Sequence, residues 1–97
     1  MNADTHVTKR LCNTFGLMET YADRLGASLS RQIRVELTER DMDQADLAEA
    51  IGVERATLSR YMRGHRSMPM PTFFRVAEAL AVSPHVLLQR AEARISE

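Results

Sequence analysis

The sequence predicts an all-α fold in one small domain, and three observations support this prediction. Apolar residues recur at spacings of three and four along most of the 97 residues, which is the period of amphipathic helices. Long alternating runs of valine, isoleucine and threonine are absent, and 5% of the residues are aromatic, so a sheet has little to be built from. Serine, aspartate, proline and glycine stand where helices would begin or end.

The first predicted element is an amphipathic helix, or a short coiled-coil seam, near the N-terminus. Its apolar stripe alternates spacings of four and three and consists of Val7, Leu11, Thr14, Met18, Tyr21 and Leu25. Gly16 interrupts the stripe, and Gly26 is expected to end the helix. We predict that residues 1–27 form an N-terminal helical extension, whose apolar face either packs on its own domain or forms a dimer contact.

The next predicted helix runs from Leu29 to about Arg40, with Ser28 as its N-cap. Its apolar face is expected to be Leu29, Ile33 and Leu37. An Asp-Met-Asp connection follows, and Asp43 is the expected N-cap of the third helix.

Two short helices joined by a tight turn are predicted between residues 43 and 69. The first covers Gln44 to Ile51, and Gly52 follows it, where a helix C-terminus favours a residue that tolerates positive φ. The second runs from about Arg55 to Arg63 and is closed by Gly64. The residues of this pair expected in the core are Leu47, Ala48, Ile51, Val53, Leu58, Tyr61 and Met62.

Two further helices are predicted after a loop that contains two prolines. Pro71 fits the first position of one helix, whose inward stripe is expected to be Phe74, Ala77 and Leu80 or Ala81. Ser83 and Pro84 fit the N-cap and first position of the last helix, which would contain Val86, Leu87 and Leu88. Residues 91–97 are predicted to be a charged tail.

Positive charge is concentrated in one stretch of a chain that is neutral overall. Between Arg55 and Arg66 there are four arginines and one histidine but no acidic residue. Without those four arginines the chain would carry nine basic and 13 acidic residues, since each total is 13. A basic helix on an otherwise acidic body indicates a surface that binds phosphate groups.

Nothing in the sequence suggests catalysis, a cofactor or a metal. His6, His65 and His85 are scattered, and there is neither a glycine-rich phosphate loop nor a metal-ligand spacing. Cys12 is the single cysteine, which excludes an intramolecular disulfide and a cysteine-based zinc cluster. No apolar run is long enough for a bilayer, and no signal peptide follows Met1. We therefore expect a cytoplasmic, nucleoid-associated protein that is not an enzyme and does not contact a membrane.

A series of residues in fixed order carries a family resemblance. The series consists of Gln44, Leu47-Ala48, Gly52-Val53, Thr57-Leu58-Ser59, Gly64, Pro69, Ala77, Leu80, Val82-Ser83 and Leu87 or Leu88. In this order and spacing, the chain from Leu29 to about Leu88 resembles the phage-repressor-type helix-turn-helix family, the Cro/CI or XRE regulators. The resemblance implies a lambda-repressor-like five-helix bundle, here with an extra N-terminal helix, and residues 28–90 as a DNA-binding domain. Two departures are Glu54, where the family usually has serine, threonine or asparagine, and Met62, which replaces a common glutamate.

The resemblance also implies a division of labour among the polar residues. The expected contacts with DNA bases are made by Arg55, Ala56, Ser59 and Arg60. The expected contacts with DNA phosphates are made by Gln44, Thr57, Arg63, His65, Arg66 and Ser67. An arginine at a groove-facing position can bind guanine O6 and N7 in a bidentate manner, whereas phosphate contacts position the protein without reading sequence.

The function that the resemblance implies is a sequence-specific regulator of transcription that binds double-stranded DNA. It would be a repressor that binds an inverted-repeat operator through the major groove as a homodimer. The alternative is the antitoxin of a toxin-antitoxin pair, which would bind a protein toxin through the N-terminal helix and autoregulate its own operon. The four arginines argue against an adaptor that has kept the fold without reading DNA.

Overall fold

The computed structural model describes residues 20–96, which contain helices and no strand. The five helices are α1 Tyr21–Glu39, α2 Gln44–Ile51, α3 Arg55–Met62, α4 Met70–Ala79 and α5 Pro84–Ser96. The all-α class and the five-helix architecture are therefore confirmed. The extra helix that was predicted before them falls largely on residues 1–19, which lie outside the described residues.

Helix α1 begins earlier than the sequence predicted. Thr20 is its N-cap: the Asp23 N–H donates to the Thr20 hydroxyl at 3.0 Å, and the Thr20 N–H donates to the Asp23 carboxylate at 3.0 Å. The helix then continues through Gly26, which was expected to end a helix. A mid-helix glycine costs about 1 kcal/mol relative to alanine, and we attribute its tolerance here to the packing of α1 against α5.

Ser28 is consequently not a helix cap, and that prediction is wrong. Its side chain is buried within α1, where its hydroxyl donates to the carbonyl oxygen of Ala91 at 2.6 Å. The predicted boundary between residues 27 and 28 thus falls inside one continuous helix.

The turn between α2 and α3 has the predicted geometry. Asp43 caps α2 by accepting the Asp46 N–H at 2.8 Å, and the Asp46 carboxylate accepts the Asp43 N–H at 3.0 Å. Gly52 ends α2 with φ +76°, the left-handed conformation that glycine adopts without strain. Helix α3 ends at Met62, and Gly64 follows in the turn with φ +77°.

Of the inward face predicted for helix α4, Ala77 and Leu80 are buried, but Phe74 is not. It begins at Met70, with Pro71 at its second position. Phe74 is half-exposed at 49%, whereas Phe73 is buried, so the prediction of Phe74 as a core residue is wrong. The buried residues follow the i, i+3, i+4, i+7 spacing of one helical face: Phe73, Val76, Ala77 and Leu80.

The charged tail predicted for residues 91–97 is wrong over residues 91–96, because this segment is the second half of α5. Ala91 is buried, together with Leu87 one turn before it. Helix α5 begins at Pro84 as predicted, and its largest contact is with α1.

The core lies at the centre of the five helices, and each helix or its C-cap contributes at least one fully buried aliphatic side chain. The largest of these side chains are Ile33, Leu47, Leu58, Val76, Leu80 and Leu87, each with an exposure of 0%. Burying a leucine or isoleucine side chain contributes about 1.5–3 kcal/mol, so this set fixes how the short helices sit on α1 and α5.

A buried carboxylate joins α1 to α5. Glu36 is 1% exposed, and its two carboxylate oxygens accept from Arg40 Nη1 at 2.8 Å and Arg90 Nη1 at 2.7 Å. Gln32 Nε2 also donates to this carboxylate at 2.8 Å, and Arg94 Nε donates to the side-chain oxygen Oε1 of Gln32 at 2.6 Å. We call this group the α1–α5 polar seam.

The surroundings of Glu36 decide its protonation. Burial alone would raise the pKa of the Glu36 carboxyl, but hydrogen bonds from Gln32 and from the two arginines outweigh it and hold the pKa below its usual value of 4.5. The group therefore stays ionised at neutral pH.

Candidate nucleic-acid interface

Helix α3 presents a polar outer face and an apolar inner face over only eight residues. Arg55, Ala56 and Arg60 are exposed, and Ser59 is half-buried. The four residues predicted to contact bases are thus all on α3 and retain solvent access. On the inner side, Leu58, Tyr61 and Met62 are buried.

The two departures from the family pattern have structural consequences at the ends of α3. Glu54 occupies the N-cap position, is exposed, and makes no side-chain hydrogen bond to the helix, so α3 lacks the cap that serine or threonine would provide. Met62 is 2% exposed, an environment that an unpaired glutamate would not tolerate.

The C-terminal end of α3 is tied to α1 by an arginine that the sequence analysis did not single out. Arg34 Nη2 donates to the carbonyl oxygen of Met62 at 3.1 Å. A cationic donor at the last carbonyls of a helix is favourable because those groups carry partial negative charge. Arg34 therefore helps to fix the direction in which α3 points.

The loop after α3, residues 63–68, carries four of the six residues predicted to contact phosphates. Arg63, His65, Arg66 and Ser67 are all exposed. The His65 N–H donates to the carbonyl oxygen of Arg60 at 2.9 Å, which folds the loop back on the end of α3. The guanidinium of Arg66 lies 6.0 Å from the centre of the Tyr61 ring, a cation–π distance.

The other two predicted phosphate contacts lie apart from this loop. Thr57 is half-buried on α3, and Gln44 is half-buried at the first position of α2. Two amides at that end of α2, those of Asp43 and Asp46, are already bonded to carboxylates. An anion approaching Gln44 would meet these two negative charges, so the amide side chain rather than the helix terminus has to supply the contact.

Among residues 20–96, the arginines of α3 and its loop have no carboxylate partner. Within residues 20–96, the ion pairs are those that Arg40 and Arg90 make with Glu36. Arg55, Arg60 and Arg63 make no ion pair with any described carboxylate. Their charges are therefore available to an external anion.

Two other kinds of feature, a metal site and a membrane-spanning helix, are absent from the described residues. Residues 20–96 contain no cluster of histidine, cysteine, aspartate and glutamate suited to hold a metal ion. Over the same residues, no helix combines the length and apolarity needed to cross a membrane.

Comparison with known protein families identifies this arrangement. The family model described as Helix-turn-helix, HTH_3, matches residues 31–87, which is more than half of the chain. The chain belongs to the XRE/Cro-CI-type helix-turn-helix family. The match covers α1 from its middle, the whole of α2, α3 and α4, and the start of α5, so the family resemblance predicted from the sequence is confirmed.

Solved structures of helix-turn-helix regulators have a similar fold. The clp gene regulator ClgR from Corynebacterium glutamicum is 25% identical with a TM-score of 0.69, over 74% of this chain and 77% of that chain. The hypothetical transcription factor NHTF from Neisseria is 26% identical with a TM-score of 0.64, over 67% of this chain and 73% of that chain. SinR, a master regulator for biofilm formation solved in complex with DNA, is 30% identical with a TM-score of 0.56, over 62% of this chain and 97% of that chain.

No curated protein matches the sequence. The structural relatives are a gene regulator, a hypothetical transcription factor and a master regulator solved in complex with DNA. Together they support a DNA-binding transcriptional regulator of the helix-turn-helix type.

Proposed function

We propose that this helix-turn-helix protein is a repressor that binds double-stranded DNA at an inverted-repeat operator. The observation that carries the proposal is the set of exposed arginines on α3 and its loop, none of which has a carboxylate partner within residues 20–96. Leaving so many cations unpaired on one surface is unfavourable for the isolated protein but favourable for binding a polyanion.

The proposed division of labour follows from the position of each side chain. Arg55, Ala56, Ser59 and Arg60 lie on the exposed side of α3 and would face base edges in the major groove. The phosphate contacts would come from Gln44, Thr57, Arg63, His65, Arg66 and Ser67. Because α3 has only eight residues, it can make few base contacts, each worth about 1–3 kcal/mol for a good bidentate pair.

A homodimer would double the number of base contacts that the protein can make. Two copies related by a two-fold axis would read two half-sites about one helical turn apart and combine their specificity. We propose that the N-terminal segment, residues 1–27, contributes to this dimer, since the family match begins after it, at residue 31.

Selection of duplexes from a random pool, followed by footprinting, tests the proposal. We expect enrichment of a two-fold symmetric sequence, with protection on both half-sites and a mass by light scattering that corresponds to two chains per duplex. Enrichment of an asymmetric site bound by one chain would remove the inverted repeat and the dimer. If no sequence were enriched, specific DNA reading would be wrong for the repressor and for the autoregulating antitoxin alike, and an adaptor that has kept the fold without reading DNA would be the better explanation.

A further inference from the structure

A groove of about 870 Å³ lies between the N-terminal half of α1 and the loop after α3. One wall is the loop, with Arg63, His65 and Arg66, and the other wall is α1, with Arg31 and Arg34. Residues three apart on a helix share a face, so the two α1 arginines point toward the same groove. The loop that we propose to contact phosphates therefore faces a second row of positive charge.

The charge of this groove is strongly one-sided. Four arginines and one histidine line it, against a single acidic residue, Asp23. The Asp23 carboxylate is engaged at the start of α1, where it accepts the Thr20 N–H at 3.0 Å. A groove of this composition favours an anion with several charges over an apolar or cationic ligand.

The two α1 arginines differ in their freedom to bind an external group. Arg34 is held by its bond to the Met62 carbonyl. Arg31 is exposed and has no hydrogen bond or ion pair to any side chain or carbonyl of residues 20–96. Arg31 is thus the α1 side chain able to reach a ligand without giving up an existing contact.

We propose that this groove receives the DNA backbone and that Arg31 is a further phosphate contact. This inference rests on the proposed function and extends the DNA footprint from the loop onto α1. Continuity favours DNA as the occupant, because four of the proposed phosphate contacts, Arg63, His65, Arg66 and Ser67, form the wall opposite Arg31. A strand of DNA carries one phosphate per 3.4 Å, which suits cations distributed along a groove rather than gathered at one point.

The salt dependence of binding to a random-sequence duplex tests this proposal without knowledge of the operator. Each phosphate neutralised contributes about −0.9 to the slope of log Kobs against log salt concentration. We expect Arg31→Ala to make the slope less negative by about 0.9, and Arg31→Lys to restore it. The matched control is Arg75→Ala, since Arg75 is exposed on α4 and does not line this groove. Its slope should equal that of the unmodified protein.

The possible failures are distinguishable. If the unmodified protein binds no duplex, the proposed function itself is wrong. Suppose that the unmodified protein binds duplex DNA and that Arg63→Ala makes the salt slope less negative, whereas Arg31→Ala leaves it unchanged. The groove is then not occupied by DNA, although the proposed function stands. An unchanged slope together with a lower mass by light scattering for Arg31→Ala would also overturn the proposal and make the groove a contact between protein chains. Equal melting temperatures of all variants establish that each is folded.

Discussion

Arginine serves opposite purposes in two regions of this molecule. In the α1–α5 polar seam, Arg40, Arg90 and Arg94 are each bonded to Glu36 or Gln32. On α3, Arg55 and Arg60 have no carboxylate partner within residues 20–96 and are exposed. The comparison shows that an arginine's role is decided by what lies beside it in the fold, since the residue type is the same in both regions.

The hydrogen bonds of the seam also explain why its arginines could bind an external ligand only with a loss of folding stability. Arg40 donates to the Glu36 carboxylate, to the Glu36 carbonyl at 2.9 Å and to the Leu80 carbonyl at 3.0 Å. Removing it from these acceptors would leave a carboxylate buried without a full set of partners, a costly state. Arg55 and Arg60 of α3, which have no carboxylate partner among residues 20–96, carry no such cost.

Glu36→Ala should produce the largest effect, and it should fall on stability. We expect the free energy of unfolding to drop by about 3 kcal/mol, at the low end for breaking a buried ion pair, because both arginines of the pair are partly solvated. Urea denaturation provides the measurement, with Glu39→Ala, an exposed glutamate of the same helix, as control. If Glu36→Ala cost no more than Glu39→Ala, the seam would not stabilise the fold.

Low pH should also weaken the seam and lower the free energy of unfolding, as Glu36→Ala does. Because the folded protein lowers the pKa of Glu36 below 4.5, the stabilisation is fully present above about pH 4.5 and is lost as the pH falls through the folded pKa. Urea denaturation repeated between pH 7 and pH 3 measures this loss. Glu36→Gln, which cannot ionise, should lose less stability over that range, and an identical pH profile for both proteins would contradict the role given to Glu36.

Arg60→Ala should act on specificity and leave stability unchanged. We expect a loss of about 2 kcal/mol, or roughly thirtyfold, in affinity for the selected operator, as for a missing bidentate base contact. Fluorescence anisotropy with the operator and with a scrambled duplex compares the two affinities. Equal losses for both duplexes would show that Arg60 does not read bases.

Arg63→Ala should give the smallest effect and should not discriminate between sequences. We expect the salt slope to become less negative by about 0.9 for any duplex, which lowers the salt sensitivity between 50 and 200 mM about threefold. Anisotropy titrations at four salt concentrations measure the slope. A slope equal to that of the unmodified protein would remove Arg63 from the phosphate contacts.

Features set by local chemistry could be predicted from the sequence. The Asp43 cap, the positive φ of Gly52 and the start of α5 at Pro84 each depend on a few neighbouring residues. The same local rules placed the outer face of α3, because its apolar residues recur at helical spacing.

Features set by distant contacts could not be predicted in this way. Ser28 suits an N-cap, but its hydroxyl is bonded to Ala91, 63 positions along the chain. The segment from residue 91 suits a solvated tail, but Arg94 finds its partner in Gln32, 62 positions away. Arg31 carried no signal beyond being a basic residue on a helix, because only the fold brings α1 opposite the loop after α3.

The joining of the first and last described helices has a consequence for the newly made chain. Sequence neighbours supply the contacts between α2 and α3, whereas α1 takes its largest partner from α5, which leaves the ribosome after all the others. Until then, Glu36 has Arg40 but lacks Arg90, and the hydroxyl of Ser28 lacks the carbonyl of Ala91. The helix whose Arg34 holds α3 therefore cannot complete its own packing before α5 has been synthesised. Firm placement of α3 is thus coupled to synthesis of the chain through α5.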